Sequence, residues 1–240
     1  MTERKAQVAA GAMFIVGDIF GVLGVITIGN ILKGPGVPQQ IAANQDRVAL
    51  GALFVLLMGL SLAMIPLLLY PTLRRHSRPL ALGYAVFRSG IETVTYLASA
   101  AALLLLISIS RDHIGPSGTQ SVLSALLIRA QDPVASEVGS IVFCIGALML
   151  YWLLYQARLV PRWLSLWGVA GAVLYLAVPL AGMFGSSIGA LMAPLAVQEI
   201  VFALWLIVRG LDTSSEVLTP ALTSFAETGA RAQGSWGMPA

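Results

Sequence analysis

Apolar residues run along this chain in long unbroken blocks, with none of the alternation of a half-buried strand. Crossing the hydrocarbon of a bilayer takes about 20 apolar residues of helix. Six segments reach that length: residues 8–32, 48–69, 80–107, 138–155, 163–184 and 189–208. A membrane β-barrel would instead show segments of about ten residues with period-two alternation. The pattern therefore predicts an all-α membrane protein, a six-transmembrane-helix bundle. Pro66, Pro179 and Pro194 fall inside spans and are expected to bend them.

The connections differ in length. Residues 33–47 contain Gly34-Pro35-Gly36 and Pro38 and read as a turn-rich loop. Within 108–137, Val122, Leu123, Leu126 and Leu127 recur at helical spacing opposite Gln120, Ser121 and Ser124. This predicts a short amphipathic outer helix over 121–129 that lies on the interface or caps the bundle, with a re-entrant element as the alternative. From residue 212 to 240 the chain turns to Ser, Thr, Ala and Gly, so the expected division is a membrane domain, 1–211, and a mobile tail, 212–240.

Composition agrees. Of 240 residues, 58% are hydrophobic and 10% charged, against about 25% charged in a soluble domain. The mean hydropathy is +0.85. Basic residues gather at span ends instead of forming the solvated patch of a nucleic-acid binder, so no nucleic-acid partner is expected. With the N-terminus inside, the inner segments hold Arg4, Lys5, Arg74, Arg75, Arg78, Arg158, Arg162, Arg209 and Arg231. The outer ones hold Lys33, Arg47, Arg111 and Arg129. The positive-inside rule then places both termini in the cytoplasm. The apolar N-terminal stretch exceeds a cleavable signal and carries Asp18, so it is expected to be a retained first span.

Four ionisable residues lie within spans: Asp18, Arg88, Glu92 and Glu199. Each is disfavoured at a helix centre by about 2.5–3.5 kcal/mol, which drives such groups to the bundle interior. At the helical rise, all four lie about 12–18 Å from the inner end of their spans, in one layer. Arg88 and Glu92 are one turn apart. Tyr84, Thr95, Tyr96 and Ser99 extend their face as a polar stripe, and Gln198 adjoins Glu199. Three acids against one base predict that a proton (on Glu199 or Asp18), a bound cation or a cationic ligand completes the charge. A packing brace between Arg88 and the two glutamates is the alternative.

Other chemistry is missing. The histidines, His76 and His113, lie in connecting segments, so no span offers a haem-ligating pair or the base of a serine protease. The spacing of His, Cys, Asp and Glu matches no metal site. Neither lysine, Lys5 or Lys33, sits in a span to form a retinal Schiff base, and Cys144 lies in an apolar run as a packing residue. No cofactor is implied. The Gly17-x-x-x-Gly21 and Gly168-x-x-x-Ala172 pairs allow close helix approach, within the chain or to a homodimer or other membrane partner. Three functions remain: a ligand-binding or proton/ion-linked, transporter-like protein, with membrane lipid around it; a membrane subunit or regulator; and an intramembrane enzyme using the carboxylates.

Three stretches carry a resemblance. They are residues 69–80 running into Phe87-Arg88-Ser-Gly-Ile-Glu92; Tyr155-Gln-Ala-Arg-Leu-Val-Pro-Arg162-Trp with Gly168 and Tyr175; and Glu199 through Trp205 to Gly210. Together the chain resembles, over about residues 1–211, the bacterial multi-pass membrane family called domain of unknown function 4386. The resemblance implies a six-helix bundle in a bacterial plasma membrane, and Arg88, Glu92, Glu199, Trp205 and the Pro161-Arg162 loop match the family's pattern. It implies no activity. The start of the fourth span departs from that pattern, with Glu137, Gly139 and Ser140 where a histidine-bearing segment is common.

Overall fold

The computed structural model describes residues 2–33, 36–111, 133–186 and 188–212, and every regular element among them is a helix. The outer helix expected over 121–129, the re-entrant alternative, and the tail beyond Asp212 lie outside the described residues.

The first span is α1, Glu3–Ile28. A short helix, α2, Val37–Ala43, follows, and α3, Gln45–His76, is the second span. The third is continuous from Arg78 to Ser110. It begins as α4, Arg78–Ala85, widens into a π-helical segment, Val86–Glu92, and ends as α5, Thr93–Arg111. The fourth and fifth are α6, Pro133–Ala157, and α7, Arg162–Met183. A 3₁₀ turn, Gly189–Met192, leads into α8, Ala193–Val208, the sixth. All six spans are long and apolar enough to cross a membrane. Outward faces carry exposed Val22, Val25, Leu104, Leu105, Val173 and Val208, as lipid contact requires.

The spans close into a ring. α1 packs on α3, α3 on the third span, the third span on α6, α6 on α7, α7 on α8, and α8 returns to α1. Lipid tails are as apolar as leucine, so close backbone approach rather than hydrophobic burial favours such contacts. Gly17 and Gly21 accordingly face Leu62 and Met58 of α3, Gly11 faces Ala203 of α8, and Gly168 seats the Tyr151 ring. The small-residue faces are thus used inside the chain.

Polar contacts fix which ends meet. Glu3 pairs with Arg75 at 2.5 Å. The Arg4 guanidinium donates to the carbonyls of Leu206 (2.7 Å) and Val208 (3.0 Å), capping the C-terminus of α8. The Asp212 amide donates to Leu159 O at 2.8 Å. The start of α1, the α3–α4 corner, the α6–α7 loop and the end of α8 therefore share one end of the bundle. Every described basic residue assigned to the inside by the sequence lies there.

The turn-rich reading of 33–47 missed α2. Gly36 enters it with φ of 76° and Pro38 lies in its first turn. Its Val37 and Ile41 are buried in a small apolar cluster with Val48, Leu103 and Leu106.

Candidate functional site

The third span carries the centre of the site, and its π segment aligns it. In a regular α-helix each four-residue step drifts by about 40°, so Tyr84 and Tyr96 would stand about 120° apart. The wider turns of Val86–Glu92 take up that drift. Tyr84, Arg88, Glu92 and Tyr96 consequently share one inward face. Two side chains hold the segment: Thr93 Oγ1 donates to Arg88 O at 3.2 Å, and Ser89 Oγ donates to Ala63 O of α3 at 2.6 Å.

Arg88 and Glu92 are 4% and 1% exposed, so neither has water as its main partner. Arg88 Nη1 donates to Glu92 Oε1 at 3.0 Å and Oε2 at 3.1 Å. The Tyr96 hydroxyl adds a bond to Glu92 Oε1 at 2.8 Å. From α8, Glu199 Oε1 comes within 3.6 Å of Arg88 Nη2. The guanidinium also lies over the rings of Phe143 (4.6 Å to the centroid) and Phe14 (6.0 Å). Aromatic faces attract a cation and attract it more strongly when it is desolvated. One guanidinium thus gathers carboxylates from spans three and six and rings from spans one and four.

Between these groups lies a narrow crevice, lined by Phe14, Tyr84, Arg88, Phe143, Tyr151 and Glu199, with no room to seat a water. Four buried polar atoms in the interior have no hydrogen-bond partner among the described residues: Tyr84 Oη, Tyr151 Oη, Ser165 Oγ and Gln198 Oε1. Gln198 Nε2 is tied to Leu164 O at 3.3 Å. The Tyr151 hydroxyl lies near Gln198 without reaching hydrogen-bond geometry. More than nine in ten buried polar groups are normally paired, so such a concentration needs an explanation.

Of the predicted residues, Arg88, Glu92 and Glu199 meet directly, with Tyr84 and Tyr96 on the same face. Asp18 stands at the rim, half-buried. It makes no hydrogen bond or ion pair among the described residues but lies within Coulombic range of Arg88 and Glu199. Thr95 is not brought in: its hydroxyl donates to Glu92 O at 2.7 Å, and its side chain sits against Gly139. Gln198 is fully buried beside the α7 start rather than on Arg88. Phe14, Phe143 and Tyr151 were missed. As aromatics inside apolar runs they carry no periodic signal, and only the fold shows that they surround a cation.

Fold and site define a multi-pass α-helical membrane protein with a charged centre inside a closed ring of spans. The chain belongs to the family described as domain of unknown function (DUF4386), which matches residues 9–210. That range holds Asp18, Arg88, Glu92 and Glu199. No curated protein and no solved structure matches the chain.

Proposed function

We propose that the protein is a transporter-like or ligand-binding protein of a bacterial plasma membrane, with both termini cytoplasmic, and that it works through Arg88, Glu92 and Glu199 with Asp18 at the rim. The single observation that supports this is the second carboxylate. Glu92 alone balances the charge of Arg88, through two bonds to Nη1, so a neutral packing brace does not require the charge of Glu199. A further carboxylate in a low-dielectric interior is tolerated only if a proton, a cation or a cationic group neutralises it. Tyr84 Oη and Tyr151 Oη, both on residues that line the crevice, then serve as spare polar partners for what enters.

Arg88 holds the two carboxylates or an anionic group of the ligand. Glu92, fixed by Arg88 and Tyr96, orients the guanidinium. Glu199, with the longer contact, is the member that exchanges its partner. The crevice is closed to water in this conformation, so entry requires the spans to part. The π segment, whose backbone bonds can shift register, and Pro179, inside α7, are the places for that movement. A subunit role has less support, because the Gly17/Gly21 face is already covered by α3.

Native mass spectrometry of the protein in a mild detergent, comparing wild type with Glu199→Gln, tests the proposal. A small bound species present in wild type and absent from the variant supports a ligand site. A second protein chain held equally by both favours the subunit reading.

A further inference from the structure

At the end of the bundle that carries the α6–α7 loop lies a second, open cavity of about 790 Å³, a size that suits a small-molecule ligand. Arg158, Arg162 and Arg209 line it, with Trp205, Pro161, Gly210 and Asp212. None of the three arginines makes a hydrogen bond or ion pair among the described residues. Two are instead stacked on aromatic rings: Arg162 on Tyr155 at 5.7 Å and Arg209 on Trp205 at 5.6 Å. These contacts orient the guanidiniums and leave their donors free.

The third is set by the backbone. Arg158 has φ of 53°, the only described non-glycine residue in the left-handed region, a strained conformation that persists only where its surroundings impose it. Here Leu159 and Val160 are buried directly after it, and the Leu159 amide donates to Leu154 O at 3.3 Å. Arg158 is thereby left exposed at the cavity. Gly210, with φ of 81°, turns the chain on the opposite wall, where its carbonyl accepts from Trp205 Nε1 at 3.1 Å.

We infer that this cavity binds a phosphate-bearing group, the headgroup of an anionic lipid or a free phosphate compound. Three guanidiniums face one carboxylate, so the lining has a surplus of two positive charges. That matches a phosphomonoester, or two phosphodiesters, and guanidinium forks bind phosphate oxygens in pairs. The cavity also sits at headgroup depth. Exposed Trp163, with the Trp167 ring tilted beside it at 6.3 Å, and the stacked Trp152–Tyr155 pair form an aromatic group at this end of α6 and α7, as side chains at a membrane–water interface do.

The test uses the full chain in a non-ionic detergent and native mass spectrometry with added phosphatidic acid, phosphatidylcholine or inorganic phosphate. Wild type is compared with Arg158→Gln/Arg209→Gln, and with Arg74→Gln/Arg78→Gln, which removes the same charge from the same end outside the cavity. Gel filtration checks that all three fold. Wild type should retain one phosphatidic acid in preference to phosphatidylcholine, and the cavity variant should lose at least about tenfold in affinity. The Arg74/Arg78 variant should keep it. Displacement of the lipid by millimolar phosphate would assign the site to free phosphate compounds; failure to displace it would assign the site to lipid. Equal loss in both variants, or no preference over phosphatidylcholine, would overturn the inference.

Discussion

Replacing Arg88 with methionine removes the only cation among the described residues of the central site and keeps an unbranched side chain there. Glu92 then loses the two bonds of 3.0 and 3.1 Å and keeps only that from Tyr96. Glu199 loses its ion-pair partner at 3.6 Å. Removing one member of a buried pair costs about 3–5 kcal/mol, because the other charge is stranded. Polar pairs in membrane bundles average nearer 0.6 kcal/mol, since the unfolded chain also finds partners in the bilayer. The first figure governs here, as Glu92 is 1% exposed and Arg88 serves two acids. Glu92→Gln should cost less, about 1–2 kcal/mol, because Arg88 retains Glu199 and an amide oxygen. Once Arg88 is gone, an uncharged amide in place of the Glu92 carboxylate is the better neighbour, so the double variant should be more stable than Arg88→Met alone. The coupling should reach about 1–3 kcal/mol. Unfolding in mixed micelles of increasing sodium dodecyl sulfate, followed by the fluorescence of the five tryptophans, measures all four corners. Additivity within about 0.5 kcal/mol would show that the two residues do not act as a pair.

Other variants probe the frame around the site. A methyl group at Gly168 would collide with the Tyr151 ring, which is fully buried, so Gly168→Ala should destabilise by about 1–3 kcal/mol in the same micelle assay. Gly90→Ala, with nothing within 4 Å of the new methyl, should be neutral or stabilising by up to about 1 kcal/mol. Tyr96→Phe removes the 2.8 Å bond to Glu92 and should cost about 0.6–1.7 kcal/mol, while Thr95→Val should change stability less. Arg4→Gln uncaps α8 and should lower the melting temperature, whereas Glu3→Gln, which breaks an exposed pair, should cost at most about 1 kcal/mol.

The six spans were legible because each is a run of membrane length closed by charge, proline or glycine. The observed helices overshoot the predicted bounds mainly where polar ends continue the helix, as at Glu3 and His76. Of the four-residue charge layer expected from helical rise, Arg88, Glu92 and Glu199 meet, and Asp18 makes no ion pair among the described residues. The polar stripe was only half legible. At 3.6 residues per turn Thr95 would lie within about 20° of Arg88; the π segment shifts that phase, which keeps Tyr96 on the inward face and leaves Thr95 against α6. No residue pattern announces that segment, where Ser89 satisfies a carbonyl of α3 and Thr93 satisfies one of its own helix. α2 was missed because glycine and proline punctuate its start and it has only seven residues. The aromatic lining and the Arg158–Arg209 cavity depend on which spans are neighbours, which one sequence does not encode in any local pattern.

Dicyclohexylcarbodiimide reacts from the bilayer with carboxyl groups that carry a proton and spares stably ion-paired carboxylates. Labelling the intact protein in membranes, followed by peptide mapping, asks directly whether Glu199 is an exchanging group or part of a brace. An exchanging site gives an adduct on Glu199, absent from Glu199→Gln, without modification of Glu92; an adduct on Asp18, which has no ion-pair partner among the described residues, is counted separately by its peptide. An unlabelled Glu199 in the folded wild-type protein, at low and at high salt alike, would contradict it and leave Arg88, Glu92 and Glu199 as packing alone.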